Sequence, residues 1–254
     1  MLNLLRWHEK EHEMLLEDLK HTLSYDGYAI VNYRYFRDYG TGFSCGEDEA
    51  LVQLQDSYDL LPVDPYSSAR YRTYTRFLVT SPNPLHVESC ENASYIQSYA
   101  ANDIDGARER KFPPITAAAL SNKLLVGLLK ADAEIMSDYF GLTSFYIGIH
   151  QVRYKTSIRS PSFSSPIWLH RDDEALVFVH LINTSPGLVG GTNVIARDQK
   201  TLVDVVELTN PLDTLILTRN LLHCVTPMGC KNAYNQASRD IFLVTFEERK
   251  CIVT

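Results

Sequence analysis

The sequence lacks the marks of several protein classes, and each absence narrows what the chain can be. Its five cysteines are scattered and form no Cys-x-x-Cys pair, a pattern typical of reduced thiols in the cytoplasm. No apolar run reaches the ~18 residues of a membrane span, and the first residues lack a basic segment followed by an apolar core. We therefore expect a cytoplasmic protein that does not enter a membrane.

The chain also lacks an excess of basic residues. Lysine and arginine number 24 against 31 acidic residues, which gives a formal net charge of −7. An acidic protein has no positive field to attract a phosphate backbone, so nucleic acid is not an expected partner. Repeats, linkers and low-complexity segments are missing as well. A length of 254 residues is typical of one large domain, and we predict a single domain over residues 1–254.

The pattern of apolar residues differs between the two halves of the chain. In residues 1–141 the periodicity predicts helices over 5–23, 47–61 and 121–140, with short strands at 28–33 and 71–80. After Gly141, short β-branched and aromatic segments predict strands at 145–154, 175–182, 191–196, 201–208, 213–217 and 241–246. This order favours an α+β fold, in which a helical layer with early strands (1–141) packs on a jelly-roll barrel core (142–254).

One group of residues in the strand-rich half has the spacing of a metal site. His170 and Asp172 form a His-x-Asp pair next to a predicted strand, where alternate residues point to the same side. His223 follows a distant strand and could supply a third ligand. Two imidazoles and one carboxylate on one face are the ligands of mononuclear non-haem Fe(II) oxygenases, which keep the remaining positions open. We predict that these three residues bind iron and are catalytic.

A second His-x-acid pair tests how specific this signal is. With eight histidines and 31 acidic residues in 254 positions, about one His-x-acid pair is expected by chance. His86 and Glu88 form it, in a region of weak pattern before the strand-rich half. We interpret His86 as an ordinary surface histidine.

Arg239 opens the last predicted strand, sixteen positions after His223. Its guanidinium could take the distal carboxylate of 2-oxoglutarate in a two-pronged pair. If Arg239 points into the barrel, the period of two sends Ile241, Leu243 and Thr245 the same way.

These segments resemble the 2-oxoglutarate/Fe(II) dioxygenases, and their sequence motifs are most similar to those of the family of free L-amino-acid hydroxylases. The resembling segments are His150-Gln-Val-Arg, Trp168-Leu-His-Arg-Asp, Val179-His-Leu-Ile-Asn, Gly190-Gly-Thr-Asn, Pro211-Leu-Asp-Thr, His223-Cys-Val-Thr-Pro and Arg239-Asp. The resemblance implies a double-stranded β-helix, with Fe(II), 2-oxoglutarate and O₂ as cofactor and cosubstrates. It also implies hydroxylation of a free aliphatic L-amino acid. Ile241 departs from the serine that many relatives carry two residues after the arginine.

A free amino acid needs a cation for its carboxylate within a partly apolar pocket. Arg153 lies on the strand before the metal motif, and Gln151 shares its face. We single out these two residues for substrate binding, with Arg70, Arg72 and Arg76 as further cations nearby. Three alternatives stay open: the same chemistry on a peptidyl or natural-product substrate, a metal-binding barrel without oxygenase activity, and a zinc hydrolase. The sequence does not indicate an oligomeric state.

Overall fold

A large antiparallel sheet organises the molecule. The computed structural model describes residues 15–36, 48–91, 93–102 and 106–249, so the predicted start of the first helix near Leu5 lies outside them. In the described chain this sheet has eight strands in the order β1-β10-β6-β13-β5-β3-β2, with β4 paired to β3. Its strands are β1 (Tyr28–Val31), β2 (Val63–Asp64), β3 (Ser67–Pro82), β4 (Leu85–Ser89), β5 (Phe145–Ser157), β6 (Leu176–Thr184), β10 (Thr214–Thr218) and β13 (Gln236–Glu248).

Helices cover one face of the large sheet. They are α1 (15–26), α2 (Asp48–Ser57), α3 (Ala117–Leu120) and α4 (Lys123–Phe140), with a 3-10 turn at Tyr58–Leu60. Alternate residues of β5, including Ile147 and Ile149, join Phe178 and Phe246 in the core beneath these helices. Each of these side chains is almost fully buried, and such burial stabilises the fold by about 1.5–3 kcal/mol per side chain.

Smaller sheets cover the other face. They comprise β7 (Leu188–Val189), β8 (Asn193–Ala196), β9 (Leu202–Val206), β11 (Leu222–Val225) and β12 (Gly229–Cys230), in the orders β11-β8-β9 and β12-β7. Val177, Leu215 and Val152 of the large sheet form a second core with Ile195 of β8 and Val206 of β9. The strands thus form two facing layers, and the space between the layers holds the candidate site.

The boundaries of α4 show how capping refines the sequence-based prediction. The helix was predicted to begin at residue 121, but the side chain of Asn122 accepts hydrogen bonds from the first free N–H groups, those of Leu124 and Leu125. Ser121 instead donates to the carbonyl of Ala118 and ends the preceding α3. Both residues are good N-caps, but only one can precede a continuous helix. The helix ends at Phe140, the predicted bound, and Gly141 caps it with a positive φ of 67°.

The early strands form part of the same sheet as the strands of the second half. β3 pairs with β5, and β1 pairs with β10. The change of sequence pattern at residue 141 is therefore not a boundary between sheets. β4 is a strand that the weak pattern after Pro82 did not predict. That residues 1–254 form a single domain stays a prediction. Among the described helices, none has both the length and the apolarity that a membrane crossing requires.

Candidate metal centre

Backbone pairing brings His170 and His223 together. The His170 N–H donates to the carbonyl of His223 at 3.0 Å, and the His223 N–H donates back at 2.8 Å. β11, which carries His223, is held in turn by β8. Asp172 lies two residues beyond His170, where an extended chain returns to the same side. Two distant segments thus deliver three side chains to one point.

The three side chains converge closely enough to share one ion. One ligand atom from each of His170, Asp172 and His223 lies within 4.8 Å of the other two. The Asp172 oxygens approach Nε2 of His170 at 3.6 Å and Nε2 of His223 at 3.3 Å. Among the described residues this is the one cluster of three or more such groups that fits a metal ion. Two imidazoles and one carboxylate are the donors expected for Fe(II) with open positions.

Hydrogen bonding prepares His170 as a ligand. Its Nδ1 lies 2.9 Å from the carbonyl oxygen of Trp168, so Nδ1 carries the proton and donates. Nε2, which faces Asp172, therefore retains its lone pair. A hydrogen bond from the ring nitrogen that does not face the metal fixes both the tautomer and the ring orientation of a ligating histidine. Nδ1 of His223 is buried and has no hydrogen-bond partner among the described residues.

The electrostatics keep Asp172 ionised. Burial alone would raise the pKa of Asp172, but His223 and His170 together hold it far below its ordinary value. Burial alone would lower the pKa of His170, but the Asp172 carboxylate raises it above its ordinary value. Nearby Glu174 is buried, and burial together with Asp172 raises its pKa to about 8. The raised pKa of Glu174 means that a second negative charge beside Asp172 is unfavourable unless a cation is bound.

Arg239 places a buried cation in the same pocket. Its side chain is buried, and no described carboxylate lies close enough to form an ion pair. One Nη atom has no hydrogen-bond partner among the described residues. Ile241, Leu243 and Thr245 line the pocket beside it, as the period of two predicts. Gly191 has a positive φ of 78°, and a Cβ there would lie 3.1 Å from Cδ of Arg239. The backbone at residue 191 therefore passes close to the arginine stem because it carries no side chain.

Comparisons with known proteins agree with this geometry. The profile of the 2OG-Fe dioxygenase family matches residues 55–245. The chain belongs to this family. It is 38% identical to L-isoleucine-4-hydroxylase from Bacillus thuringiensis, over 79% of this chain and 84% of that one. It is 36% identical to 3(1)-hydroxy-L-isoleucine 4-dioxygenase from Pantoea ananatis, over 90% and 94%. The crystal structure of IDO from Bacillus thuringiensis superposes with a TM-score of 0.79 at 30% identity, covering 92% and 96%.

The protein is therefore a 2-oxoglutarate- and Fe(II)-dependent dioxygenase, and the predicted α+β double-stranded β-helix is confirmed. The family uses Fe(II), 2-oxoglutarate and O₂, and the residues present fit the metal and the cosubstrate. The ionised carboxylate and the Nε2 lone pair of His170 suit a divalent ion. A buried guanidinium without an anion suits a dicarboxylate cosubstrate, because an unpaired buried charge is costly.

The dioxygenase does not bring Arg153 and Gln151 to this pocket. Arg153 forms ion pairs with Asp240, at 2.6 Å, and with Asp59. Gln151 donates to the hydroxyl of Ser57 at 2.8 Å. Both side chains leave β5 on the helix-covered face of the sheet. The prediction grouped them on one face correctly, but that face points away from the metal centre, which corrects the expectation that they line the substrate pocket.

Other cations line the pocket instead. Arg70 and Arg72 come from β3, and Arg110 comes from the irregular segment after β4. Tyr95 and Gln97 of the same segment lie beside them. Arg70 and Arg72 were among the cations noted from the sequence, whereas Arg110, Tyr95 and Gln97 were missed. The sequence signal that could have pointed there is the cluster of basic residues at 108–111.

His86 behaves as an ordinary surface histidine. It lies exposed on β4 at the edge of the sheet, as does Glu88. Neither residue joins the group of metal-type ligands found among the described residues. The two His-x-acid pairs therefore differ in what faces them: a second histidine in one case and solvent in the other.

Proposed function

We propose that this dioxygenase holds Fe(II) through His170, Asp172 and His223, binds 2-oxoglutarate through Arg239, and hydroxylates a free aliphatic L-amino acid at an unactivated side-chain carbon. The observation that carries the proposal is a single pocket with two features. It contains three converging metal-type ligands and a buried guanidinium that no described carboxylate neutralises.

The substrate class is supported by the relatives and by the wall of the pocket. Both curated relatives act on isoleucine or a hydroxyisoleucine, as their names state. The pocket combines cationic side chains with apolar ones, among them Val177, Val179, Leu217 and Leu243. An apolar wall beside fixed charges suits a small zwitterion with an aliphatic side chain, since each part of the molecule then has a matching surface.

Bound Fe(II) and 2-oxoglutarate supply the O₂-dependent chemistry that oxidises a C–H bond. The chain's own groups bind, orient and exclude water. His170, Asp172 and His223 fix the position of the ion, and Arg239 fixes the far end of the cosubstrate. The valine and leucine side chains of β6 and β10 hold the substrate carbon in a dry environment, which protects the oxidising step from side reactions.

The first experiment tests the metal ligands by binding and not by turnover. Fe(II) is titrated anaerobically into wild-type protein and into the His223→Ala variant by calorimetry. We expect the variant to lose most of its Fe(II) affinity, because one of three protein ligands is gone. His86→Ala, which changes a surface histidine, is the matched control. Full Fe(II) affinity in a folded His223→Ala variant contradicts the ligand assignment.

The second experiment tests the substrate class. Succinate release is screened over the common L-amino acids, and the best substrate is compared with its methyl ester and its N-acetyl form. We expect an aliphatic L-amino acid to give the highest rate and both blocked forms to be poor, since each lacks one charged end. Equal or faster turnover of the blocked forms would reject the free-amino-acid proposal in favour of a peptidyl or natural-product substrate.

A further inference from the structure

Arg72 and Arg110 form a second cationic group in the pocket, separate in the chain from Arg239. Their side chains are 6% and 2% exposed. The Cζ atoms lie 5.1 Å and 4.8 Å from the centroid of the Tyr95 ring, so both guanidinium groups lie against the same ring. Arg72 also lies 4.4 Å from the ring centroid of Phe112. Both arginines line the same pocket as the metal-type ligands.

Neutral groups hold the two guanidinium groups in position. Nε and Nη2 of Arg72 donate to Nδ1 of His150 at 3.3 and 2.9 Å. Nη2 of Arg110 donates to the side-chain oxygen of Gln97 at 2.5 Å. A backbone bridge between residues 95 and 110 fixes the segment that carries Arg110. Imidazole and amide acceptors orient a guanidinium without neutralising its charge.

The charges in the pocket are left unbalanced by the described residues. Arg70 is paired with Asp64 at 2.5 Å, whereas Arg72 and Arg110 have no described carboxylate within ion-pair distance. Nε of Arg110 is buried and has no hydrogen-bond partner in the part of the chain that the structure describes, and each guanidinium has five donors. Burying two cations with spare donors in one pocket is unfavourable unless an anion joins them. With Arg239 serving the cosubstrate, this second group remains for another carboxylate.

We propose that Arg72 and Arg110, beside Tyr95, bind the carboxylate of the amino-acid substrate. This inference rests on the proposed function and names the residues that recognise the substrate. The orientation follows from the chemistry: the carboxylate lies against the two guanidinium groups, and the aliphatic side chain extends along the apolar wall. His150 acts as a positioning residue, since it touches Arg72 and does not line the pocket.

The test compares binding of an acid and its amide. Calorimetry is carried out anaerobically on protein loaded with Fe(II) and 2-oxoglutarate, using L-isoleucine, L-leucine and L-methionine and the corresponding amino-acid amides. In wild-type protein the amide should bind at least 30-fold more weakly than the acid. In Arg110→Met the acid should weaken by at least 30-fold while the amide changes little, so the ratio of the two dissociation constants falls toward one. Arg72→Lys should lower the same ratio by at least threefold.

The ratio separates recognition from a structural role. If Arg110 only packs against Tyr95, Arg110→Met lowers the melting temperature but leaves the acid-to-amide ratio at its wild-type value, and the inference is overturned. Where Arg110→Met does not fold, Arg110→Lys takes its place, and an unchanged ratio overturns the inference equally. Arg76→Met is the matched control, because Arg76 lies on the same strand but pairs with Glu247 at 2.6 Å. Its ratio should remain that of wild type.

Failure of the proposed function gives a different result. If the wild-type protein binds none of the three amino acids and releases no succinate with any L-amino acid, the substrate class itself is wrong, and this inference fails with it. If the wild-type protein hydroxylates an amino acid and the Arg110 variant keeps the wild-type ratio, only the carboxylate assignment fails. The affinity for 2-oxoglutarate, measured in the same samples, should be unaffected by Arg110→Met, because Arg239 is intact.

Discussion

Protonation of His150 should destabilise the protein at mildly acidic pH. His150 is fully buried, with its ring stacked on Tyr74 at 4.4 Å and edge-on to Tyr95 at 5.0 Å. Its Nδ1 accepts from Arg72. A proton added at Nδ1 would turn this acceptor into a donor that faces the N–H groups of Arg72. Burial, with Arg72 and the neighbouring arginines, lowers the pKa of His150 well below its ordinary value.

The size of the effect follows from proton linkage. A histidine with an ordinary pKa near 6.5 takes up a proton in the unfolded chain as the pH falls, whereas His150 in the folded protein does not. The stability due to neutral His150 is therefore complete above pH 6.5 and is lost progressively below it. Between pH 7.5 and pH 5.5 the loss amounts to about 1.4 kcal/mol for this one residue.

The assay is urea unfolding of the metal-free protein at the two pH values, for wild type and for His150→Gln. Glutamine can still accept from Arg72 through its side-chain oxygen, but it does not titrate. Contributions from other histidines are common to both proteins and cancel in the difference. We expect wild type to lose about 1.4 kcal/mol more than the variant over this pH interval. Equal losses in the two proteins would show that His150 takes up its proton at the same pH in the folded protein as in the unfolded chain, which contradicts the reasoning.

Three further outcomes are expected. Arg239→Met should raise KM for 2-oxoglutarate by an amount equivalent to roughly 2–5 kcal/mol, and an unmoved KM would remove Arg239 from the cosubstrate site. Gly191→Ala should weaken 2-oxoglutarate binding in calorimetry, because its φ of 78° and the nearby Arg239 stem disfavour a Cβ; unchanged affinity would show that the loop adapts. Asp132→Ala should lower the free energy of unfolding by about 3–5 kcal/mol, since it removes the partner of Nε2 of His180, which is 2.9 Å away and equally buried. Asp132→Asn keeps an acceptor, so urea unfolding should show a smaller loss for it.

The metal-type ligands could be found from the sequence because His170 and Asp172 form a His-x-Asp pair next to a predicted strand, and His223 follows another strand. An extended chain places residues i and i+2 on the same side, so His170 and Asp172 had to point together once the segment was read as extended. His223 was recognised by its position after an apolar strand. The structure adds what the pattern lacks, namely the reciprocal backbone pairing of His170 with His223. Pairing between distant segments depends on the whole fold and leaves little trace in local periodicity.

The choice between the two faces of β5 could not be made in this way. Its alternation correctly separates Gln151 and Arg153 from His150, Val152 and Tyr154. Both faces of the strand are buried, one beneath the helices and one within the barrel. A strand covered on both sides has no polar face to mark the outside, so the sequence alone does not tell which set lines the pocket. Arg153 faces the helical layer, where Asp240 and Asp59 neutralise it.

The pocket residues of the irregular segment between β4 and α3 could not be predicted from the sequence, because a loop has no regular period of side-chain directions. Tyr95, Gln97 and Arg110 are placed by contacts with the scaffold. The backbone bridge of Tyr95 with Arg110 closes the segment on itself. Both carboxylate oxygens of Asp173 accept from Ser98, at 2.5 Å from its N–H and 2.6 Å from its hydroxyl. Asp173 directly follows Asp172, so the segment that supplies Arg110 is anchored beside a metal-type ligand. If Arg110 binds the substrate carboxylate as proposed, changes within this segment should alter substrate affinity while the pairing of His170 with His223 is kept.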